Sequence, residues 1–141
     1  MAQAGCAGHH RAMMKLLIVD DSELIRARLL ARLEAIPGIE AIHKAETLVQ
    51  ALKRVRCERP TLLILDIHLP EGNAIQIIGL MKEMAPGMQI AILTNDASEF
   101  TRRKCLAVGA DWFFDKSTEF ENLLELVRQL AALNSMRQAI Q

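Results

Sequence analysis

The apolar residues of this chain follow two alternating rhythms. Short runs that are apolar at every position, Leu16 to Val19, Leu62 to Leu65, Ile90 to Leu93 and Trp112 to Phe114, are separated by longer stretches with helical spacing. Strands covered by helices on both faces read in this unbroken way, so each run predicts a buried parallel strand. A weaker run, Ile39 to His43, supplies the second strand in chain order. Between them, 22–35 places Ile25, Leu29, Leu33 and Ile36 on one face, leaves Arg26, Arg28 and Arg32 to the surface, and ends at Pro37-Gly38. Similar patterns cover 46–56, 73–85 (closed by Pro86-Gly87) and 97–108 (closed by Gly109). The last helix is predicted to open at Ser117-Thr118, where Thr118 and Glu121 have capping-box spacing, and to carry Leu123, Leu124, Val127, Leu130 and Ala131 on one face. Five strands alternating with five helices, joined by right-handed crossovers, predict an open α/β sheet with helices on both faces. A closed barrel needs about eight such units and about 250 residues. The predicted domain runs over 15–133. Residues 1–14 lack any period and are expected to form a flexible leader, and 134–141 a C-terminal tail too short for an effector domain.

The polar residues that stop the runs carry the chemistry. Ligands of an open parallel sheet bind at the carboxyl ends of its strands, beside the point where strand order reverses. Asp20 and Asp21 leave the first strand, Asp66 the third, Thr94 the fourth and Lys116 the fifth. With the strand order 2-1-3-4-5 all of them meet at one edge. Three clustered carboxylates repel one another unless a cation intervenes. Hard oxygen ligands without a suitably spaced His or Cys favour Mg²⁺ over zinc or an all-protein calcium cage. Mg²⁺ beside an ammonium and a hydroxyl is equipment for holding a phosphoryl group. Asp66, on a strand beside the first and followed by the turn His68-Leu69-Pro70-Glu71-Gly72, is the best candidate to accept it.

Composition adds exclusions. Of the 141 residues 51% are hydrophobic, enough for one sizeable core, and 17 basic side chains balance 17 acidic ones. A neutral total removes the bulk attraction on which nucleic-acid binding relies, and Arg102, Arg103 and Lys104 read as a solvated helix face. No run approaches the roughly 20 apolar residues of a spanning helix, and no secretion signal is evident, so a cytoplasmic protein without membrane contact is expected. Cysteines 6, 57 and 105 are odd in number, widely spaced and without a CxxC pair, and are expected to be reduced thiols.

Together, Asp20-Asp21 in LLIVDDS, Asp66 in LLILDIHLPEG, Thr94 in AILTN and Lys116 in GADWFFDKS resemble the response-regulator receiver domain of bacterial two-component signalling, in its chemotaxis-regulator-like form. The resemblance covers 15 to about 133. It implies a flavodoxin-like fold in which Asp66 is the phosphoacceptor, Asp20, Asp21 and Asp66 hold Mg²⁺ with the backbone carbonyl of His68, Thr94 binds the phosphoryl group and Lys116 pairs with it. Phe113 matches the family's switch aromatic, which follows Thr94. A sensor histidine kinase or phosphotransfer protein would donate the phosphoryl group. The changed surface would then engage a downstream protein, or a second copy through the fourth helix, fifth strand and fifth helix, with no direct nucleic-acid binding and no catalysis beyond self-phosphorylation and self-dephosphorylation. Four positions stand out against the family: Ser117 stands where proline is usual, Asn95 where a small residue is usual, and His68 and Asp96 flank the acceptor and the hydroxyl.

Each residue alone has an ordinary reading: Asp21 or Ser22 as a helix cap, Thr94 as a strand terminus, Phe113 and Trp112 as core. Four strand ends in this order outweigh those readings. A haloacid-dehalogenase-like aspartyl-phosphate phosphatase is the alternative enzyme, but Asp20-Asp21 does not supply its Asp-x-Asp. A nucleotide or flavin binder would need a glycine-rich loop where Asp20-Asp21-Ser22-Glu23 stands. A degenerate scaffold receiver would not keep the whole set of site residues. A piece of a longer DNA-binding response regulator is the remaining alternative.

Overall fold

The computed structural model describes residues 13–140, so the predicted leader lies outside the described residues apart from Met13 and Met14. Five strands, β1 (Met14–Val19), β2 (Ile39–Ala45), β3 (Leu62–Leu65), β4 (Gln89–Thr94) and β5 (Trp112–Asp115), form one parallel sheet in the order β2-β1-β3-β4-β5. Five helices connect and follow them: α1 (Glu23–Leu33), α2 (Leu48–Glu58), α3 (Ile75–Met84), α4 (Glu99–Ala107) and α5 (Phe120–Ile140). The fold class predicted from the apolar runs is the one observed, and the strand order is the 2-1-3-4-5 arrangement on which the convergence of the site residues depends.

Alternation along the buried strands divides the core between the two faces. Leu17, Val19, Leu63, Leu65, Ile90 and Ile92 pack with residues of α2, α3 and α4, while Leu16, Ile18, Leu62, Ile64 and Leu93 pack with α1 and α5. The register then sets the functional edge. Val19 pairs with Leu65, so Asp20 and Asp66 leave the sheet side by side, and the Asp66 N–H donates to the Val19 carbonyl at 2.9 Å. Thr94 pairs with Asp115, and the Lys116 N–H donates to the Thr94 carbonyl at 2.9 Å, which brings the lysine to the same edge. The turn after β3 is a small antiparallel hairpin, His68–Leu69 against Gly72–Asn73.

Three sequence expectations need correction. The last helix begins at Phe120, not at Thr118. Glu121, the partner expected to close a capping box, instead makes a bidentate pair with Arg32 of α1, both contacts at 2.8 Å. Meanwhile Asp115 accepts from the Ser117 N–H and hydroxyl, and its own N–H donates to Glu119 Oε1 at 2.9 Å, so the turn is closed two residues later. The same helix continues past 133 to Ile140, because 134–140 holds neither glycine nor proline. Cys105 is a buried free thiol, but Cys57 is disulfide-bonded, which overturns the expectation of three reduced thiols; Cys57 is exposed near the end of α2, where a thiol is open to pairing. Burial pushes the Cys105 thiol up to about 11. No helix among the described residues is long and apolar enough to cross a membrane.

Gly109 ends α4 with φ +124°, and a Cβ there would stand 3.2 Å from Lys82 Cγ. That lysine is fixed, since its ammonium donates to the Met88 carbonyl and to Asp111, each at 2.9 Å. Gly87 has no such φ and nothing within 4 Å of a built Cβ. Gly109→Ala is therefore expected to lose about 2 kcal/mol in urea unfolding, while Gly87→Ala changes stability by less than about 1 kcal/mol.

Candidate functional site

The carboxyl edge of the sheet gathers the predicted residues. Asp20, Asp21 and Asp66 each offer a carboxylate oxygen within 4.8 Å of the others. Asp20 and Asp66 are buried, at 2% and 7% exposure, whereas Asp21 faces solvent. Lys116 Nζ lies between the buried pair, 2.8 Å from Asp20 Oδ2 and 2.9 Å from Asp66 Oδ2. The other oxygen of each is held by a backbone donor: Ser22 N–H to Asp20 Oδ1 at 2.9 Å, His68 N–H to Asp66 Oδ1 at 3.0 Å. Ser22 also caps α1 by accepting from the Ile25 N–H, so the capping role expected of this stretch falls to the serine and Asp21 is left with a free hand.

Charge balance in the pocket follows from burial. Desolvation raises the Asp20 carboxyl above its ordinary value, opposed by the Lys116 and Ser22 hydrogen bonds and assisted by the neighbouring Asp66 charge. Burial alone would lower Lys116, but its hydrogen bonds to Asp20 and Asp66 outweigh that and raise it. The ammonium is thus locked on, and the pocket holds more negative charge than one lysine balances. A hard divalent cation suits such a set of carboxylate oxygens.

Thr94 is fully buried at the end of β4, and its hydroxyl accepts from the Asp96 N–H at 3.2 Å. Phe113 lies inward, 6% exposed, among Ile90, Ile92 and Cys105, with the Arg102 guanidinium 5.8 Å from its ring centre. Asn95 is exposed. His68, at the start of the hairpin, reaches Asp96 with Nε2 to Oδ2 at 3.2 Å. The His68 hydrogen bond, followed by that from Thr101, holds the Asp96 carboxyl below its usual value. The Lys116-Ser117 bond is trans, there being no cis peptide bond among the described residues.

Sequence reasoning missed Arg26. Helical spacing places it on the surface, yet it is half-buried and donates from Nη1 to the Asp20 carbonyl at 2.6 Å. Its position four residues past the Ser22 cap, one turn above the strand end, is the signal that identifies it. Ser98, the cap of α4, and Thr101 in its first turn both donate to Asp96, contacts that the helical pattern over 97–108 does not reveal because it marks the apolar face alone.

An open 2-1-3-4-5 sheet with an acidic cluster, a hydroxyl and an ammonium at its switch edge defines a phosphoacceptor signalling module. The chain belongs to the response regulator receiver domain family, whose model matches residues 16–128, and it serves as a phosphoacceptor domain of two-component signalling. Among curated proteins it is 29% identical over 124 residues to the DNA-binding transcriptional activator DevR/DosR of Mycobacterium tuberculosis, covering 88% of this chain and 57% of that one. It is 34% identical over 130 residues to the protein-glutamate methylesterase/protein-glutamine glutaminase of Desulfotalea psychrophila, covering 90% of this chain and 35% of that one. The chain thus spans between a third and somewhat over half of these relatives. Among solved structures, a CheY-like receiver domain protein from Methanospirillum hungatei JF-1 matches with TM-score 0.77 and 26% identity, covering 89% and 98%. A response regulator from Burkholderia pseudomallei, determined with a phosphorylated aspartic acid, a calcium ion and citrate, matches with TM-score 0.73 and 25% identity, covering 90% and 74%.

A carboxyl whose pKa is raised on folding binds its proton more tightly in the native state, so its contribution to stability is present below the ordinary value of 3.8 and is lost as pH rises through the folded value. At neutral pH the ionised Asp20 is therefore a net cost. Asp20→Asn is expected to raise the melting midpoint at pH 7 in metal-free buffer by about 3 °C, as roughly 1 kcal/mol does in a domain of this size. The gain should shrink toward zero as the pH is taken below 3.8, and calorimetry across pH checks both parts.

Proposed function

We propose that Asp66 is the phosphoacceptor and that Asp20, Asp21, Asp66 and the His68 carbonyl hold Mg²⁺. The observation that carries this reading is the pairing of a buried Asp66 with Lys116 inside a cluster of three carboxylates. An oxygen of the Asp66 carboxylate attacks the phosphorus of a phosphohistidine presented by a sensor histidine kinase or phosphotransfer protein. The O–P bond forms as the P–N bond breaks, and the electron pair returns to the departing imidazole. Mg²⁺, when bound, supplies positive charge to the phosphoryl oxygens. Lys116 moves its hydrogen bond from the carboxylate to a phosphoryl oxygen, and the Thr94 hydroxyl donates to another. The backbone N–H of His68 keeps the acceptor carboxylate oriented throughout.

Phosphorylation then draws Thr94 away from the Asp96 N–H, and Phe113 is the aromatic that follows it. The resulting change reaches the surface of α4, β5 and α5, where a downstream protein or a second copy binds. The reading includes a cytoplasmic location, no membrane contact, no direct nucleic-acid binding by this stretch, and no reaction beyond acquiring and losing its own phosphoryl group. A second reading, that the chain is the receiver part of a longer DNA-binding regulator, is favoured by its covering only 57% of DevR/DosR.

Two measurements test this. Incubated with acetyl phosphate and Mg²⁺, the protein should gain one hydroxylamine- and alkali-labile phosphoryl group by intact mass, with EDTA or Asp66→Asn abolishing it; a phosphorylated Asp66→Asn chain would move the acceptor elsewhere. Thr94→Ala should still be phosphorylated, within about tenfold of the wild-type rate, yet fail to shift the Phe113 ring resonances. If those resonances move as in the wild type, Thr94 is not the link.

A further inference from the structure

At the end of the sheet opposite the acidic cluster, two adjoining hollows of about 540 and 340 Å³ share Thr61 and Gly87 as a common wall. Apolar side chains contribute to both linings: Met84 in the larger, with Met88 buried beneath it, and Leu130 and Leu133 of α5 in the smaller. Arg56 and Arg59 line the first and Arg137 the second, and among the described residues no carboxylate lines either. All three arginines are exposed. The contrast with the rest of the surface is informative, because Arg32, Arg54, Arg103 and Arg128 each sit on a carboxylate there.

Arg59 carries a second, independent signal. It closes α2 with φ 52°, the one non-glycine residue with positive φ among the described residues. Glycine would occupy that position without steric cost, so a long cationic side chain is held in a strained backbone at the rim of an apolar hollow.

We infer that this groove is a docking surface for an acidic amphipathic segment of a partner protein, its apolar face on Met84, Leu130 and Leu133 and its carboxylates on Arg56, Arg59 and Arg137. Charge complementarity selects this occupant. Methionine is a floor that adapts to varied apolar side chains. No aromatic ring lines the groove to stack a base, which disfavours single-stranded nucleic acid. The chain's own residues 1–12 contain no carboxylate and include Arg11, so they do not match a rim of arginines. The surface is separate from the phosphoacceptor edge and does not depend on the assignment of Asp66.

The test uses the full chain and a fluorescein-labelled helical peptide with leucines on one face and glutamates on the other. Saturable binding is expected, weakening with added salt, with the Met84 and Met88 methyl resonances shifting on titration. The charge-reversed pair Arg56→Glu and Arg59→Glu should bind at least about tenfold more weakly, whereas Lys44→Glu on the β2 edge leaves binding unchanged. Unchanged circular dichroism and melting keep that comparison valid, and Arg59→Gln alone should weaken binding in the same direction. Equal binding of a peptide carrying glutamine for glutamate overturns the proposal. So do methyl resonances that do not move at millimolar peptide, tighter binding of an oligonucleotide, or contacts between those methyls and residues 1–12 in the free protein.

Discussion

Two buried carboxylates on neighbouring strands cannot both remain ionised without a cation between them, and the Lys116 ammonium, within 2.9 Å of Asp20 and of Asp66, supplies it. The contact joins residues 96 and 50 positions apart in the chain, so it exists only when β1, β3 and β5 are all in register. A slip of β5 would take Lys116 out of the group and leave two buried carboxylates uncompensated, at a cost of several kcal/mol. The electrostatics of the pocket therefore depend on the whole sheet, while the sheet's stability rests on its two apolar faces. One lysine also leaves a residual negative charge, and that residue of unbalanced charge makes the pocket receptive to a hard cation and, beyond it, to a phosphoryl group.

The proposed link from pocket to surface runs through hydrogen bonds that can be exchanged. Thr94 accepts from the Asp96 N–H, Asp96 is held in turn by His68, Ser98 and Thr101, and Thr101 lies in α4. A hydroxyl that leaves this chain for a new oxygen partner changes what the β4–α4 loop can hold, and α4 begins at that loop. Phe113 shares a buried cluster with Cys105 of α4, which puts the proposed switch aromatic against the same helix. The bonds involved are each modest, on the order of 1 kcal/mol net, which is the scale on which a module with two interconvertible states must be built.

Much of this was legible in the sequence because the information is local. Runs such as LLIV and LLIL announce buried strands by themselves, and Asp20, Asp21, Asp66, Thr94 and Lys116 each follow such a run within two positions, so placing the strand places the side chain. What escaped was set by contacts between distant segments or by side-chain reach. Arg26 carries no apolar signature, and only the length of its side chain brings it back to the Asp20 carbonyl. The Thr118–Glu121 spacing is a genuine local signal that lost to a tertiary one, because Arg32 on α1 offers Glu121 a bidentate partner. The extension of α5 to Ile140 was hidden by Asn134 and Ser135, which read as a tail yet cost a helix only a few tenths of a kcal/mol each.

The balanced total of 17 basic and 17 acidic side chains describes neither end of the molecule. At the carboxyl ends of the strands three carboxylates face one ammonium, and at the amino ends three arginines face none of the lining groups with opposite charge. Opposite charges at opposite ends of a parallel sheet follow from its construction. Every crossover helix begins near the functional edge, where acidic groups are favoured by its positive end, and finishes at the far edge, where cations are favoured, as Arg56 and Arg137 in the last turns of α2 and α5 illustrate. The helix dipoles therefore stabilise the polarity that the acidic pocket requires. They also leave a basic rim on the far side, which becomes a recognition surface once apolar side chains lie beneath it.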